Sequence, residues 1–234
     1  QEHVVVTAHL DHLGRGPAVD GDAIYNGAHD NAVGTAMLLE IARTLRSARV
    51  SPKRSILFAA VTAEEKGMLG SAFLAHALAE REQTVVANLN IDMPLPLARS
   101  HDLVAYGAEH SSLGASARKA ANAEGYRLRP DPNPEEVIFV RSDQFSFIRR
   151  GIPALMLHGG TEPRDKKIDL EALRRTFFET HYHRPSDDTS VPLDYAAAAD
   201  LTRIHLRILL EAANGPRPRW KRGDFFGETF GNQD

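Results

Sequence analysis

Five short segments of the chain carry histidine, acidic residues or both, and together these side chains could hold metal ions. A mixed set of imidazole nitrogens and carboxylate oxygens favours zinc, with cobalt or manganese as substitutes, over calcium. The sequence has no cysteine, which excludes thiol chemistry and cysteine-bound zinc. The segments are "AHLDH" (8–12), "GAHDNAVG" (27–34), "AEEKG" (63–67), "NID" (90–92) and "HYHRPSDD" (181–188).

Each segment has a simpler interpretation when it is taken alone. His9 and Asp11 could be solvated loop residues, Asp30 could be a helix N-cap, and a loop histidine such as His183 usually lies at the surface. Asp92, at a strand end, needs a partner or an exposed position, because burying an unpaired carboxylate is costly. The case for a shared site therefore depends on whether the fold brings the segments together.

The elements between the segments are predicted by alternating strand-like and helical patterns. Strands are predicted at "HVVVTAHL", "RSILFAAVTA", "VVANLNID", "DLVAYGA" and the apolar end of "SDQFSFIRRGIPALMLHGG", whose start reads as a short helix. Helices are predicted at "NAVGTAMLLEIARTLRSA", at 71–79, at "SSLGASARKAANAEG" with Gly125 as C-cap, and at "DYAAAADLTRIHLRILLEAAN" closed by Gly215. This alternation predicts a three-layer α/β/α sandwich with a mostly parallel, mixed central sheet. In such sheets, ligands bind beyond the carboxyl ends of the strands, where three of the segments lie.

The rest of the chain carries weaker signals. Residues 161–190 are charged and show little periodicity, and 215–234 are expected to form an irregular tail pinned by Trp220 and phenylalanines. With 234 residues, 42% of them hydrophobic, the chain can form one large domain, which we expect to span 1–214.

Charge and hydropathy exclude several classes of partner. Lys and Arg total 28 against 31 Asp and Glu, and the net charge of −3 gives no sign of a surface for nucleic acid or anionic lipid. No apolar run approaches the ~20 residues that a membrane-spanning helix requires. Because the sequence opens directly into a strand without a signal peptide, we expect an excised domain or a mature fragment.

Two metal ions explain the number of candidate ligands better than one. Five protein ligands, in the order His, Asp, Glu, Asp and His, exceed the four of a tetrahedral zinc site, but they suit two ions that share a bridging carboxylate. Glu64 and Glu65 are adjacent at a predicted strand end, so their side chains should point to opposite faces. Only one of this pair would then face a metal.

The ordered pattern of these motifs resembles metallopeptidase family 28, the bacterial di-zinc aminopeptidases. The motifs are His-x-Asp at 9–11, Asp-Asn-x-x-Gly at 30–34, Glu-Glu-x-Gly at 64–67, Asp-Met at 92–93 and Tyr-His-x-Pro-x-Asp at 182–187. The resemblance covers about Val4 to Leu210 and implies the zinc-dependent exopeptidase (phosphorylase/hydrolase-like) fold. It also implies secretion or a periplasmic location, an upstream protease-associated domain in many relatives, and N-terminal elements that this sequence lacks.

The resemblance implies a role for each motif residue. His9, Asp30 and Asp92 would bind one zinc, and Asp30, Glu65 and His183 would bind the other, so that Asp30 bridges two Zn²⁺ per chain. The peptide bond between Asp30 and Asn31 would be cis. Asp11 would orient His9, and Asp187 would support His183.

The same resemblance implies the catalytic roles. Glu64 would be the general base, and Tyr182 would donate a hydrogen bond to the oxyanion. Peptides with a free N-terminus would be the substrates. Gln144 stands where the family often has histidine in a Ser-Asp-His sequence, so Asp143 and Gln144 are expected near the substrate pocket.

Alternative functions within and beyond this family remain open at the level of sequence. A carboxypeptidase or dipeptidase would need cations to bind a substrate carboxylate, and these could come from the basic residues at 164, 166, 167, 174 and 175. Glutaminyl cyclases depart from the ligand pattern that this chain keeps. A non-catalytic ectodomain, like that of the transferrin receptor, would have lost metal ligands, whereas all five are present here.

Overall fold

The computed structural model describes residues 2–231 and contains a six-stranded sheet with helices on both faces. The strands are β1 (Glu2–His9), β4 (Ser55–Val61), β5 (Thr84–Asn90), β6 (Asp102–Tyr106), β7 (Arg127–Arg129) and β8 (Ala154–Gly159). Their order across the sheet is β4-β1-β5-β8-β6-β7. Only the β6–β8 pairing is antiparallel, so the predicted mostly parallel, mixed sheet is confirmed.

Three helices cover one face of the sheet and two cover the other. α1 (Val33–Ser47), α3 (Leu113–Ala123) and α6 (Tyr195–Asn214) pack together on the first face, and α2 (Leu69–Glu80) and α4 (Gln144–Ile148) on the second. The larger apolar core lies under the first group and includes Val6, Leu89 and Ile204, each at most 1% exposed. The three-layer α/β/α prediction is therefore confirmed.

Four elements were not predicted from the sequence. They are the hairpin of β2 (Gly14–Val19) and β3 (Asp22–Tyr25), the short strand β7, helix α5 (Leu170–Thr180) and helix α7 (Phe225–Phe230). Helix α5 falls in the segment with little periodicity because only Leu170 and Phe177 are buried on it, although Asp169 caps its N-terminus by accepting from the Ala172 N–H.

The tail beyond α6, expected to be irregular, contains α7 and packs against the sheet. The indole N–H of Trp220 donates to the Gly151 carbonyl at 2.8 Å, and Phe226 lies against Phe139. Trp220 and the tail phenylalanines therefore contribute to a second apolar cluster beside β6 and β8. None of the helices between residues 2 and 231 is long and apolar enough to cross a membrane.

The buried face of α6 should dominate stability. We expect Ile204→Ala, at a fully buried position, to lower the free energy of unfolding by about 2–5 kcal/mol, because it removes apolar contacts and leaves a cavity. Leu39→Ala on α1, where the side chain is 62% exposed, should change it by only about 0.5 kcal/mol. Urea unfolding followed by circular dichroism measures both. Equal effects of the two substitutions would contradict this assignment of the core.

Candidate metal centre

The carboxyl ends of three parallel strands lie side by side and carry the first group of candidate residues. His9 at the end of β1 pairs with Val61 at the end of β4, and Thr7 pairs with Asn90 at the end of β5. The residues that follow β4 and β5, including Glu65 and Asp92, therefore reach the same edge of the sheet as His9.

Asp30 lies between two histidines and directs one carboxylate oxygen to each. Its Oδ1 is 3.3 Å from His9 Nε2, and its Oδ2 is 3.2 Å from His183 Nε2. Asp30 is only 3% exposed, and the peptide bond that follows it is cis, as the resemblance implied. A carboxylate in this position has the geometry of a bridging ligand.

The remaining candidate ligands complete a group around each oxygen of Asp30. Asp92 Oδ1 lies 3.1 Å from His9 Nε2, and Glu65 Oε2 lies 3.2 Å from His183 Nε2. At metal–ligand distances of about 2.05 Å, the ligand atoms of a tetrahedral zinc ion lie about 3.3 Å apart. The observed separations are close to that value, so both groups fit a zinc ion.

His12 is a residue that the sequence analysis did not assign and that also belongs to the second group. Its Nδ1 comes within 2.8 Å of Glu65 Oε1, yet neither atom has a hydrogen-bond partner of acceptable geometry. An imidazole nitrogen and a carboxylate oxygen that lie this close without a hydrogen bond between them are placed to coordinate the same metal ion. The last residue of "HLDH" (9–12) was the only signal for His12 in the sequence.

The electrostatics show how strongly this cluster of carboxylates attracts positive charge. Burial opposes ionisation of Asp30, but His183 and His9 hold its pKa well below its usual range. Burial alone would lower the pKa of His9, whereas Asp30 and Asp92 raise it to about 12, and Asp30 and Glu65 raise that of His183 to about 10. In the metal-free protein, protonated imidazoles supply the charge that cations would supply.

Comparisons with known proteins identify the family of this chain. A sequence profile of peptidase family M28 matches residues 1–209. The chain belongs to this family. It is 43% identical over 230 residues to a probable zinc metalloprotease of Pyrenophora tritici-repentis, covering 81% of this chain and 44% of that protein. It is also 27% identical over 193 residues to leucine aminopeptidase 2 of Trichophyton rubrum, covering 79% of this chain and 37% of that protein. The chain thus spans less than half the length of these relatives.

Solved structures support the fold of an M28 domain. The LapA aminopeptidase of Legionella pneumophila superimposes with a TM-score of 0.70 at 20% identity, covering 92% of this chain and 52% of that one. A Porphyromonas gingivalis glutaminyl cyclase superimposes with a TM-score of 0.62 at 18% identity, covering 88% and 72%. Identities this low establish the shared architecture alone.

Glu64 and Glu65 lie in a turn after β4, and the turn separates their carboxylates. β4 ends at Val61, and the Glu64 carbonyl accepts from the N–H groups of Gly67 and Met68 at 2.8 Å. The expectation that a strand pleat separates the two side chains is therefore wrong. The Glu65 carboxylate joins the cluster around Asp30, whereas that of Glu64 has no hydrogen bond or ion pair among the described residues.

Burial and neighbouring charges raise the pKa of Glu64 to about 8. Desolvation is the largest cause, and Asp92, Asp143 and Glu65 add to it against an opposing effect of His9. Glu64 thus lies close enough to the first group to sense its charges without taking part in its ion pairs. An unpaired carboxylate beside a metal site is suited to proton transfer.

Tyr182 packs against the histidine of the second group. Its ring stacks on that of His183 at 3.9 Å, and burial, followed by the charges of Asp30 and Glu65, raises the pKa of its phenol. The hydroxyl therefore stays protonated and can donate a hydrogen bond.

Asp187 supports Asp30 rather than His183. Its two carboxylate oxygens accept from the backbone N–H groups of His29 and Asp30 at 2.9 and 3.0 Å. The expectation that Asp187 contacts His183 is corrected on this point, because both of its oxygens face the loop that precedes α1. His29 itself lies against Phe177, with ring centroids 5.1 Å apart.

Asn31 and Gly34 fix the same loop against β5. The Asn31 side chain donates to the Ile91 carbonyl and accepts from the N–H groups of Gly34 and Met93. A Cβ at Gly34 would come within 2.1 Å of Asn31 Oδ1 and 2.5 Å of the Ile91 carbonyl oxygen. Glycine is therefore required here, which explains the spacing of the Asp-Asn-x-x-Gly motif.

Asp11 contacts His9 chiefly through its backbone carbonyl, and not through the carboxylate that was expected to orient the imidazole. The Asp11 carbonyl lies 3.1 Å from His9 Nδ1 and its carboxylate lies 3.7 Å away, which leaves Nε2 directed at Asp30 and Asp92. The Asp11 carboxylate also accepts from the Glu64 N–H at 3.3 Å. One residue thus links the first group to the turn that carries Glu64 and Glu65.

Gln144 is buried behind the first group and does not line the cavity. It is fully buried, accepts from the Asn90 side chain at 2.8 Å and donates to the Phe139 carbonyl. Asn90 also donates to the hydroxyl of Ser142, which in turn donates to Asp92 Oδ2 at 2.5 Å. Gln144 therefore orients Asp92 through two intermediate side chains, and Ser142 is a contact that sequence reasoning missed.

Asp143 is also fully buried, and neither of its carboxylate oxygens has a hydrogen-bond partner among residues 2–231. Burial raises its pKa to about 6. Neither Asp143 nor Gln144 lines the cavity beside the metal groups, so the expectation of two pocket residues here is corrected. That cavity, of about 440 Å³, instead runs from Asp92 and Tyr182 toward β6, β8 and α5. A larger groove of about 960 Å³ lies beyond α2 and α4, away from these groups.

The role of Asp187 can be tested directly. In Asp187→Ala, we expect the amide protons of His29 and Asp30 to exchange with solvent faster. Each amide loses the carboxylate oxygen of Asp187 that accepts its hydrogen bond. Hydrogen exchange followed by NMR measures both amides. Asp188→Ala is the matched control, because Asp188 accepts instead from the Ser190 N–H. Unchanged exchange at both amides in Asp187→Ala would contradict the proposed support.

Proposed function

We propose that this chain is the catalytic domain of a two-zinc aminopeptidase. The observation that carries the proposal is the position of Asp30, with one oxygen facing His9 and the other facing His183. His9, Asp30 and Asp92 would hold one ion. Asp30, Glu65 and His183 would hold the other. His12 also has a ligand atom within 4.8 Å of ligand atoms of Asp30 and Glu65, so it is a further candidate ligand for this ion.

The metal pair would supply Lewis acidity, which lowers the pKa of a water molecule and polarises the scissile carbonyl. The residues of this chain would supply the remaining steps. Glu64, whose carboxylate has no partner, would take a proton from the attacking water and deliver it to the departing amine. Tyr182 would donate its hydroxyl proton in a hydrogen bond to the oxygen that becomes negatively charged.

Rival functions are less well supported. A carboxypeptidase or dipeptidase needs a cation near the substrate carboxylate, and Arg174, which lines the cavity, is the basic residue from 164 to 175 that could supply it. Glutaminyl cyclases occur among the structural neighbours, but at identities that bear on architecture alone. A binding protein without activity would have no use for the retained ligands. Secretion and an upstream protease-associated domain stay predictions.

The requirement for a free N-terminus distinguishes the proposal from its rivals. With zinc added, the protein should hydrolyse aminoacyl anilides, and acetylation of the substrate amino group should abolish turnover. A chelator should remove the activity, and zinc should restore it. Equal rates on free and acetylated substrates would show that the protein is not an aminopeptidase.

Substitution of the two neighbouring glutamates separates base from ligand. Glu64→Gln should keep its metal content and lose roughly 10²- to 10⁴-fold in kcat, because it cannot accept a proton. Glu65→Gln is the matched control, and it should instead weaken the binding of one metal ion. Metal content after dialysis, together with anilide hydrolysis, measures both effects. The assignment is wrong if Glu64→Gln retains wild-type kcat, or if Glu65→Gln retains wild-type metal affinity.

A further inference from the structure

The cavity beside the metal groups has a polar end that the proposed mechanism does not use. Near the metal groups it is bounded by Asp92 and Tyr182. Met93, Met156, Ile138 and Phe178 contribute apolar side chains to its walls. Its polar lining includes Tyr106 from β6, His158 from β8 and Arg174 from α5.

Arg174 has a guanidinium group without an anionic partner. Its Nη1 donates to the Gly159 carbonyl at 3.2 Å, and it has no ion pair with any carboxylate of residues 2–231. A guanidinium has five N–H donors, so most of those of Arg174 have no acceptor among residues 2–231. By contrast, Arg99, Arg129 and Arg203 each form an ion pair with an aspartate or glutamate.

The surroundings of Arg174 do not compensate its charge. Asp102 acts on it only at a distance, because Arg129 and the N–H groups of Thr161 and Glu162 already engage that carboxylate. Burial lowers the pKa of the Arg174 guanidinium. Arg174 is partly buried and has no ionic partner among residues 2–231, and such a cation beside a cavity points to an anion that enters the cavity.

Tyr106 offers a second donor to such an anion. Its hydroxyl forms no hydrogen bond with the described part of the chain, and burial raises its pKa to about 12, so the proton stays in place. The Tyr106 ring lies edge-on to that of His158, with centroids 5.0 Å apart. His158 is 8% exposed, and its Nε2 has no hydrogen-bond partner among residues 2–231. Burial and then Arg174 lower the pKa of His158 to about 3, which keeps the imidazole neutral.

Among the other charged residues of the cavity, Arg141 pairs with Glu136 at 3.1 Å. Asp131 has no ion pair among residues 2–231; it accepts from the Asn133 N–H at 2.9 Å, and its charge, after burial, adds to the raised pKa of Tyr106. Arg174 is thus the one cation of the described cavity wall without an ionic partner. A planar guanidinium with a phenol beside it suits a carboxylate, which can accept from both.

We propose that Arg174 and Tyr106 form a specificity pocket for an acidic side chain, so that the enzyme prefers substrates with N-terminal glutamate or aspartate. This inference rests on the proposed aminopeptidase function. With the scissile bond at the metal groups, the first side chain of the substrate enters the cavity beside Met93 and Tyr182 and directs its carboxylate to Arg174. The apolar walls contact its methylene groups.

The preference can be measured on anilides of glutamate, aspartate, glutamine and leucine. We expect kcat/KM for the glutamate anilide to exceed that for the glutamine anilide roughly 10- to 100-fold, as for a charge-assisted pair. Arg174→Met should abolish or reverse this ratio, because the carboxylate of the glutamate anilide loses its charged partner. Arg175→Met, the neighbouring exposed position on α5, should leave the ratio unchanged. Equal rates on glutamate and glutamine anilides with the wild-type protein would overturn the proposal.

A binding measurement keeps this test independent of catalysis. L-glutamate should bind the zinc-loaded wild-type protein more tightly than L-glutamine in calorimetry, and Arg174→Met should remove the difference. If glutamate binds in this way but no anilide is hydrolysed, the pocket assignment stands and the proposed function fails. If anilides are hydrolysed without any effect of Arg174, the function stands and the pocket assignment fails.

The C-terminal carboxylate of a dipeptide is the other possible source of the anion. Leu-Gly and its amide distinguish the two sources. A selective loss of Leu-Gly hydrolysis over amide hydrolysis in Arg174→Met, with no discrimination between glutamate and glutamine, would assign Arg174 to the main-chain carboxylate. That result would overturn the proposed side-chain pocket.

Discussion

The arrangement of this site depends on the need to compensate a concentration of negative charge. Asp30, Glu64, Glu65, Asp92 and Asp143 lie close enough to influence one another's charge, and all are buried or partly buried. Carboxylates at such distances raise each other's pKa unless cations intervene. Histidines meet this need around Asp30, whereas Glu64 and Asp143 have no such partner and have raised pKa values. The proposed metal pair accounts for the whole set, because it would place two divalent cations where the uncompensated charge lies.

The fold serves this constraint by controlling backbone positions. Parallel strands deliver His9, the glutamate turn and Asp92 to one edge, while Asp187 and Asn31 fix the loop that carries Asp30. The chain from Thr7 through Asn90 and Ser142 holds the Asp92 carboxylate from behind. Much of the buried polar network beneath the sheet edge therefore orients the candidate metal ligands. This arrangement is what a cation-binding site requires.

Sequence reasoning was strongest where periodicity and motif agreed. The helix α6 was predicted from apolar residues at helical spacing. The strands β1, β4 and β5 were predicted from short, continuous apolar runs. Helix α5 was missed since only two of its side chains are buried, and burial is what creates a readable pattern. Sequence alone also could not show that Asp187 faces the Asp30 loop or that Gln144 supports Asp92, because both contacts join residues more than fifty positions apart. Sequence alone likewise could not show that Arg174 has no ion pair among residues 2–231, because that depends on which carboxylates the fold brings near it.

The claim that Asp30 bridges two metal ions is tested most directly by anomalous X-ray scattering from crystals of the zinc-loaded protein. The account predicts two peaks at the zinc absorption edge, roughly 3.5 to 4 Å apart, with one beside each carboxylate oxygen of Asp30. A single peak, or two peaks of which neither lies within bonding distance of Asp30, would contradict it.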